Sequence, residues 1–362
     1  RHSFLEFVAK SGQKFIKNLQ KKVQNLTRKV KKIRNFQLSR DKILKSKFVD
    51  KLQRLCFFWG TFVILFASVG CSQNKYPLQI NPGSSPTDSI SNLPKDSAIP
   101  PGLQKFSLPQ LVEGGLQERT YLVRFPIKPS RSNYPIVFYF HGGRGTASKF
   151  FRNLGEVHRL IDDNQFIGIF PQGFRKSWNL SLEPSKADDV AWVTEIFEEI
   201  SKHRFVDSSS VYAVGISNGA GLVNKLGKET EIFNGIAPIV SQQTVKMLKV
   251  TPHRGISVFQ VNGDNDPLVP LEGGLSRILH KFVSAKESAQ NWARYSNCAK
   301  VPTRFEENWG PFRTKGFIYD ECESGRQVRY HVVQGSGHRS YFKGFPLHTV
   351  IWNFFKNSPG AD

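Results

Sequence analysis

Several signatures that would assign a function at once are missing from this 362-residue chain. No cluster of His, Cys and Asp stands at zinc-ligand spacing, and no Gly-x-x-x-x-Gly-Lys-Ser/Thr loop is present to cradle a phosphate. No metal and no cofactor is therefore implied. Methionine occurs once and cysteine four times. Cys56 and Cys71 bracket a hydrophobic run, while Cys298 and Cys322 lie late in the chain, where export would permit a disulfide. No apolar stretch reaches the ~20 residues of an ordinary transmembrane helix. No internal repeat is evident, and no polymer-binding module is recognisable.

Acidic residues are scarce at one end. The formal charge is +22, yet residues 1–55 hold 17 Lys and Arg against 3 Asp and Glu, or +14 (17 − 3). The remainder carries only +8 (34 − 26), a mildly basic surface without a nucleic-acid-binding fingerprint. Residues 1–54 read as a basic cytoplasmic flank, or as sequence upstream of a true start. The helical spacing of Phe15, Leu19, Val23, Leu26, Val30 and Ile33 also suits an amphipathic helix on an anionic membrane. Residues 55–71 open with fifteen uncharged residues, the length of an export-signal h-region. They end Ala67-Ser68-Val69-Gly70-Cys71, which resembles a bacterial lipobox with Ser68 in place of the usual Leu. The resemblance implies lipid on Cys71, hence a membrane-tethered lipoprotein or a secreted protein; a signal-anchor is the alternative. Residues 72–105, rich in Ser, Pro, Asn and Gly, read as a flexible tether.

Residues 106–362 remain for a folded body. Residues 135–140 and 166–170 are continuous apolar runs, the mark of strands buried on both faces. Residues 119–125 alternate and suit an early strand; 211–214, 235–240, 256–261 and 328–333 complete the set. Helical spacing runs through Phe151, Leu154, His158 and Ile161, over 189–203, after Ser217, over 275–295 and over 346–355. Strands alternating with helices predict an α/β fold, a mostly parallel sheet with helices on both faces. The site of such a fold lies at the carboxyl ends of the strands.

One junction there carries chemistry. The strand at 211–214 breaks at Gly215-Ile216-Ser217-Asn218-Gly219 and resumes as a helix through Ala220, Val223 and Leu226. Strand, Gly-x-Ser-x-Gly, helix is the form of a nucleophile elbow. A serine on a strained turn needs small neighbours, and the helix start offers backbone N–H groups, Asn218 first, to a developing oxyanion. A serine nucleophile needs a base and a group to orient it, in the chain order Ser, acid, His. The loop after 256–261 offers Asp264 and Asp266. The loop after 328–333 offers His338 among glycines, a poor place for a packing histidine; His331 and His348 sit inside elements and read as structural. His141-Gly142-Gly143 follows the strand at 135–140, where a glycine run can aim an N–H at the substrate oxygen. Asp188 and Asp189 point about 100° apart on a helix and read as a cap and a first-turn charge rather than a catalytic pair. Trp178 and Trp192 read as core or pocket wall.

The body resembles the poly(3-hydroxybutyrate)-depolymerase-like and feruloyl-esterase-like esterases of the α/β-hydrolase superfamily. The resemblance rests on Phe140-His-Gly-Gly143, Pro171-Gln-Gly173, Ser177-Trp-Asn179, Ala187-Asp-Asp-Val-Ala-Trp-Val193 and Gly215-Ile-Ser-Asn-Gly-Ala220. It continues in Asn262-Gly-Asp-Asn-Asp-Pro-Leu-Val-Pro270, Asn291-Trp-Ala-Arg-Tyr-Ser-Asn-Cys298 and Gly335-Ser-Gly-His338. It implies a serine carboxylesterase acting on an ester substrate, with Ser217 as nucleophile, Asp266 as acid, His338 as base, and a Cys298–Cys322 disulfide. Gly142, Gly143 and Asn218 would form the oxyanion hole. Two departures bear on the substrate: Arg339-Ser-Tyr341 stands where the family often has Thr-Trp-Pro, and Gly221 where it often has Met. The rival readings are a peptidase or other acyl hydrolase with the same triad, and a non-catalytic binding lipoprotein.

Overall fold

The structure is a computed structural model that describes Ile90, Leu93 and residues 99–358. The basic flank 1–54, the run 55–71 with its lipobox-like end at Cys71, and residues 72–89 lie outside the described residues.

Alternation of side chains across the strands divides the body into two cores. In strand β3 (Tyr134–Phe140), Tyr134, Ile136, Phe138 and Phe140 join one buried cluster, and Val137 and Tyr139 join the other. The first cluster is roofed by helices Asp189–Ile200, Asn218–Glu229 and Ala285–Tyr295. The second is roofed by Ala147–Arg152, Gly155–Asp162 and Leu347–Lys356. Helices thus cover both faces, which is why the strands between them read as unbroken apolar runs.

Besides β3, the main sheet contains β1 (Gly102–Val112), β2 (Gly115–Phe125), β4 (Ile167–Pro171), β5 (Val206–Ile216) and β6 (Gly235–Ile239). It is completed by β7 (Ser257–Gly263), β10 (Thr303–Trp309), β11 (Phe312–Tyr319) and β12 (Val328–Val333). Its ten strands run in the order β1-β2-β4-β3-β5-β6-β7-β12-β11-β10. The stretch from β4 to β12 is parallel, and antiparallel hairpins extend both edges. This is the α/β-hydrolase fold.

The structure corrects the sequence reading at three places. The body begins earlier than residue 106: β1 starts at Gly102, and Ile90 is fully buried beside Phe106 and Tyr121. The carbonyl of Ile90 also takes a 3.1 Å bond from the His203 ring. Ile90 and residues 102–105, within the stretch read as a tether, are therefore part of the packed body. The edge hairpin of β10 and β11 was not anticipated; its pairing is a backbone matter with little apolar signal. The helix expected over 275–295 begins only at Ala285, because residues 274–282 form a small hairpin of β8 (Gly274–Leu275) and β9 (Lys281–Phe282). Ser284 caps that helix by accepting from Glu287 N.

Candidate active site

Strands β3, β5, β7 and β12 run parallel, so the loops that leave them emerge on one edge. Ser217 follows β5 with φ 57° and ψ −117°, a region that costs an L-residue strain and that a packed surround must hold. The surround is backbone. A Cβ at Gly215 would lie 2.2 Å from Gly219 O, and one at Gly219 would lie 2.4 Å from Phe140 O. No side chain fits at either position, so the Gly-x-Ser-x-Gly spacing follows from how closely β5, the helix Asn218–Glu229 and β3 meet. Ser217 N donates to Ile239 O at 2.9 Å, which ties the elbow to the end of β6 as well.

His338 reaches the serine from the loop after β12. Its Nε2 lies 2.8 Å from Ser217 Oγ and its Nδ1 lies 2.7 Å from Asp266 Oδ2. The other Asp266 oxygen accepts from Leu268 N at 2.8 Å and Val269 N at 3.0 Å. With its carboxylate so engaged, Asp266 receives the Nδ1–H of His338 and leaves Nε2 as acceptor for the serine hydroxyl. The two loops are stitched to each other. Asn265 N donates to Ser336 O at 3.0 Å, and a Cβ at Gly263 would lie 2.3 Å from Ser336 O. Asp264 is engaged elsewhere: its Oδ1 accepts from Gly335 N at 2.7 Å and braces the histidine loop. The structure therefore separates the two carboxylates that the loop offers.

The His141-Gly142-Gly143 turn lies against the elbow: a Cβ at Gly142 would stand 3.5 Å from Ser217 Cβ, and one at Gly143 3.6 Å from Asn218 Cβ. His141 itself is buried and holds the turn. Its Nδ1–H donates to Gly142 O at 2.8 Å and its Nε2 accepts from Gly173 N at 3.0 Å. Both bonds suit the neutral ring, and burial lowers its pKa against a smaller raise from the Gly142 carbonyl. Of the two readings for Trp178, core or pocket wall, the structure gives core: it is fully buried, and its Nε1–H donates to His141 O at 2.8 Å.

Of the pair set aside as non-catalytic, Asp188 caps its helix by accepting from Ala191 N at 3.1 Å. Asp189 is fully buried, 2.7 Å from Arg119, and accepts from Asn179 N at 2.6 Å. Gly221, one of the two departures, lies under Leu180: a Cβ there would fall 2.3 Å from Leu180 Cδ1. Tyr341, in the other departure, is exposed. The sequence reading passed over Glu183 and His280, which meet beside Asn218. His280 Nε2 lies 2.7 Å from Glu183 Oε1, and Asn218 Nδ2 donates to the same oxygen at 3.2 Å. No local pattern could have paired residues 97 positions apart. Cys298 and Cys322 are joined by a disulfide. Among the described residues no group of three or more His, Cys, Asp or Glu side chains gathers as a metal site.

No protein-family model matches the sequence. Among curated proteins it is 25% identical over 237 residues to feruloyl esterase B of Piromyces equi, covering 61% of this chain and 42% of that protein. It is 29% identical over 145 residues to the putative esterase NocK of Nocardia uniformis subsp. tsuyamanensis, covering 38% of this chain and 42% of that one. The chain thus spans less than half the length of these relatives. Among solved structures, an acetyl xylan esterase from Aspergillus awamori superposes with a TM-score of 0.51 at 16% identity, over 71% of this chain and 99% of that one. That likeness is one of fold.

Proposed function

Starting from a feruloyl-esterase-like α/β-hydrolase, we propose that this protein is a serine carboxylic ester hydrolase working through an acyl-enzyme. The observation that carries the proposal is the run Ser217 Oγ, His338 Nε2, His338 Nδ1, Asp266 Oδ2, with contacts of 2.8 and 2.7 Å at the carboxyl edge of the sheet.

In the proposed reaction His338 Nε2 takes the Ser217 hydroxyl proton as Oγ bonds to the ester carbonyl carbon. The carbonyl oxygen becomes an oxyanion facing backbone N–H groups of Asn218 and of the Gly142-Gly143 turn. Collapse breaks the bond to the alcohol oxygen, which leaves with the proton from His338. Water then repeats the sequence on the acyl-enzyme, releasing the acid and restoring Ser217. Asp266 keeps the imidazole oriented and stabilises its charged form without taking the proton.

The relatives' names suggest feruloyl and acetyl esters of plant polysaccharide as first candidates, and the depolymerase resemblance adds hydroxybutyrate oligomers. Work outside the cytoplasm is part of the proposal, supported by the Cys298–Cys322 disulfide and the uncharged run at 55–69. Lipid on Cys71 is proposed on the lipobox resemblance alone; a membrane-bound form that keeps residues upstream of Cys71 would refute it.

The test is a panel of p-nitrophenyl acetate, methyl ferulate, hydroxybutyrate oligomers and a chromogenic peptide, together with a fluorophosphonate probe. Ester turnover with labelling at Ser217 is expected. Turnover of the peptide alone would make the protein a peptidase, and no turnover and no label would make it a binding protein.

A further inference from the structure

We propose that Glu183 and His280 are positioning residues of this site: a buried carboxylate–imidazole pair that holds Asn218, and with it the backbone N–H next to Ser217, against the oxyanion. The proposal rests on the ester-hydrolase reading above and adds to it a second pair outside the triad.

Three sets of contacts, two from one loop and one from the β8–β9 hairpin, hold residue 218 directly or through Glu183. The first is the loop after residue 176. Asn218 Oδ1 accepts from Trp178 N at 2.7 Å, and Asn218 Nδ2 donates to Trp178 O at 3.0 Å. The second is Glu183, on the same loop. Its Oε1 accepts from Asn218 Nδ2, while its Oε2 accepts from Leu180 N at 2.8 Å and Leu182 N at 3.1 Å. The third is His280, carried by the β8–β9 hairpin, whose Nε2–H donates to Glu183 Oε1 at 2.7 Å. Four donors therefore surround one carboxylate whose side chain is only 12% exposed, and the imidazole is 6% exposed. Burial pushes the Glu183 pKa up, but the bonds from His280 and Leu180 outweigh it and hold the carboxyl below its usual range. It stays an anion and an acceptor.

Burying the Glu183 carboxylate costs desolvation that its hydrogen bonds only offset, so stability alone does not account for it. Its place in the molecule explains it better. The Asn218 side chain is gripped at both its oxygen and its nitrogen, so the residue cannot turn without breaking the loop's bonds. The same bonds seat Leu180 against Gly221, four residues after Ser217, and Gly221 N donates to Ser217 O at 3.1 Å. The loop, the first helical turn and the elbow are thereby one rigid unit. Glu183 and His280 touch neither serine nor oxyanion. They act through Asn218.

The test measures hydrolysis of p-nitrophenyl acetate by full-length protein carrying H280L, H280Q, E183Q or N218A. An ill-placed oxyanion donor lowers kcat and leaves KM nearly alone. H280L is expected to lose about 10- to 100-fold in kcat with KM within about threefold. H280Q keeps a donor for Glu183 and should recover most of that loss, which a mere packing role would not produce. In an N218A background H280L should have no further effect. Unchanged kcat in H280L, or additive losses with N218A, would overturn the proposal. If H280L fails to fold, E183Q keeps the volume while removing the charge, and wild-type kcat there overturns it equally. A wild type inert to every ester and to fluorophosphonate would instead sink the ester-hydrolase reading.

Discussion

The two edges of the sheet are held by different means. At the carboxyl edge, the loops around Ser217, Asp266 and His338 pack backbone on backbone, with Gly215, Gly219 and Gly263 where any Cβ would fall within 2.4 Å of a carbonyl oxygen. At the amino edge, where the helix Ala285–Tyr295 ends and β12 begins, the chain is closed by the Cys298–Cys322 disulfide. Ala299 N also donates to Asp320 O, and Glu323 N to Ser296 O, each at 2.9 Å. The first arrangement fixes the loops against one another with no room for a side chain between them. The second limits the unfolded chain. Substitutions should therefore separate cleanly into those that cost rate and those that cost stability.

The largest effect is expected at Ser217. Ser217→Ala removes the proposed nucleophile, and members of a catalytic triad act as a unit, so ester turnover should fall by roughly 10⁴-fold or more. The melting temperature should hold or rise, since the strained conformation loses its polar cargo only. Labelling of the wild type at another serine would break the comparison at its centre.

Next come the two carboxylates of one loop. Asp266→Asn leaves the volume but offers the imidazole the wrong partner, and a loss of about 10³- to 10⁴-fold in kcat is expected. Asp264→Asn loses only a charge-assisted brace on Gly335 N and should cost about tenfold or less. Parallel measurement of kcat on one ester decides it; the reverse order would mean that Asp264 turns inward in solution.

This division explains how much of the molecule could be read from its residues. The central strands were legible because burial on both faces leaves unbroken apolar runs, as at 135–140. The elbow was legible because close backbone approach demands glycine. His338 stood out as a histidine with no packing reason to be in a glycine loop. The choice of Asp266 over Asp264 came from the family resemblance; in the structure Asp266 is the one that lies against His338 Nδ1. Less could be seen at the margins. Strands β1, β10 and β11 pair through backbone at sheet edges, and β8 and β9 are two residues each, too short for any period. Glu183 and His280 were invisible, because their meaning lies in a meeting of loops rather than in either loop's pattern.

At the amino edge the order of effects should reverse. The disulfide closes a loop of 24 residues, which in the chain-entropy model is worth roughly 3–4 kcal/mol. The double variant Cys298→Ser, Cys322→Ser should lose about that much in urea unfolding at 25 °C, while its kcat stays within about twofold of wild type. A large loss of kcat in folded variant would show that the two edges are coupled after all.

The smallest effect, and the most diagnostic of burial, is expected at Lys228. This lysine lies in the last turn of the helix Asn218–Glu229, where the helix dipole favours a cation, yet it is only 1% exposed. Its ammonium donates to Asn291 Oδ1 at 2.7 Å and to Val250 O at 3.1 Å, and faces the rings of Trp292 and Tyr295. Burial, with a smaller push from Arg294, lowers its pKa from 10.5 to about 8. The sign follows from proton counts. Below about pH 8 both folded and unfolded states carry the charge, and the folded state bears its full desolvation. Between about pH 8 and 10.5 the folded state gives up the proton first, so the unfolded state binds more protons and stability rises with pH. Other groups titrate in that range too, which is why the comparison must be with Lys228→Met. The stability of wild type relative to that variant should climb by roughly 2–3 kcal/mol between pH 7.5 and pH 10.5. Urea unfolding of both proteins at several pH values measures it. A difference that stays flat would mean that water reaches the ammonium, and that the amino edge is looser than its packing suggests.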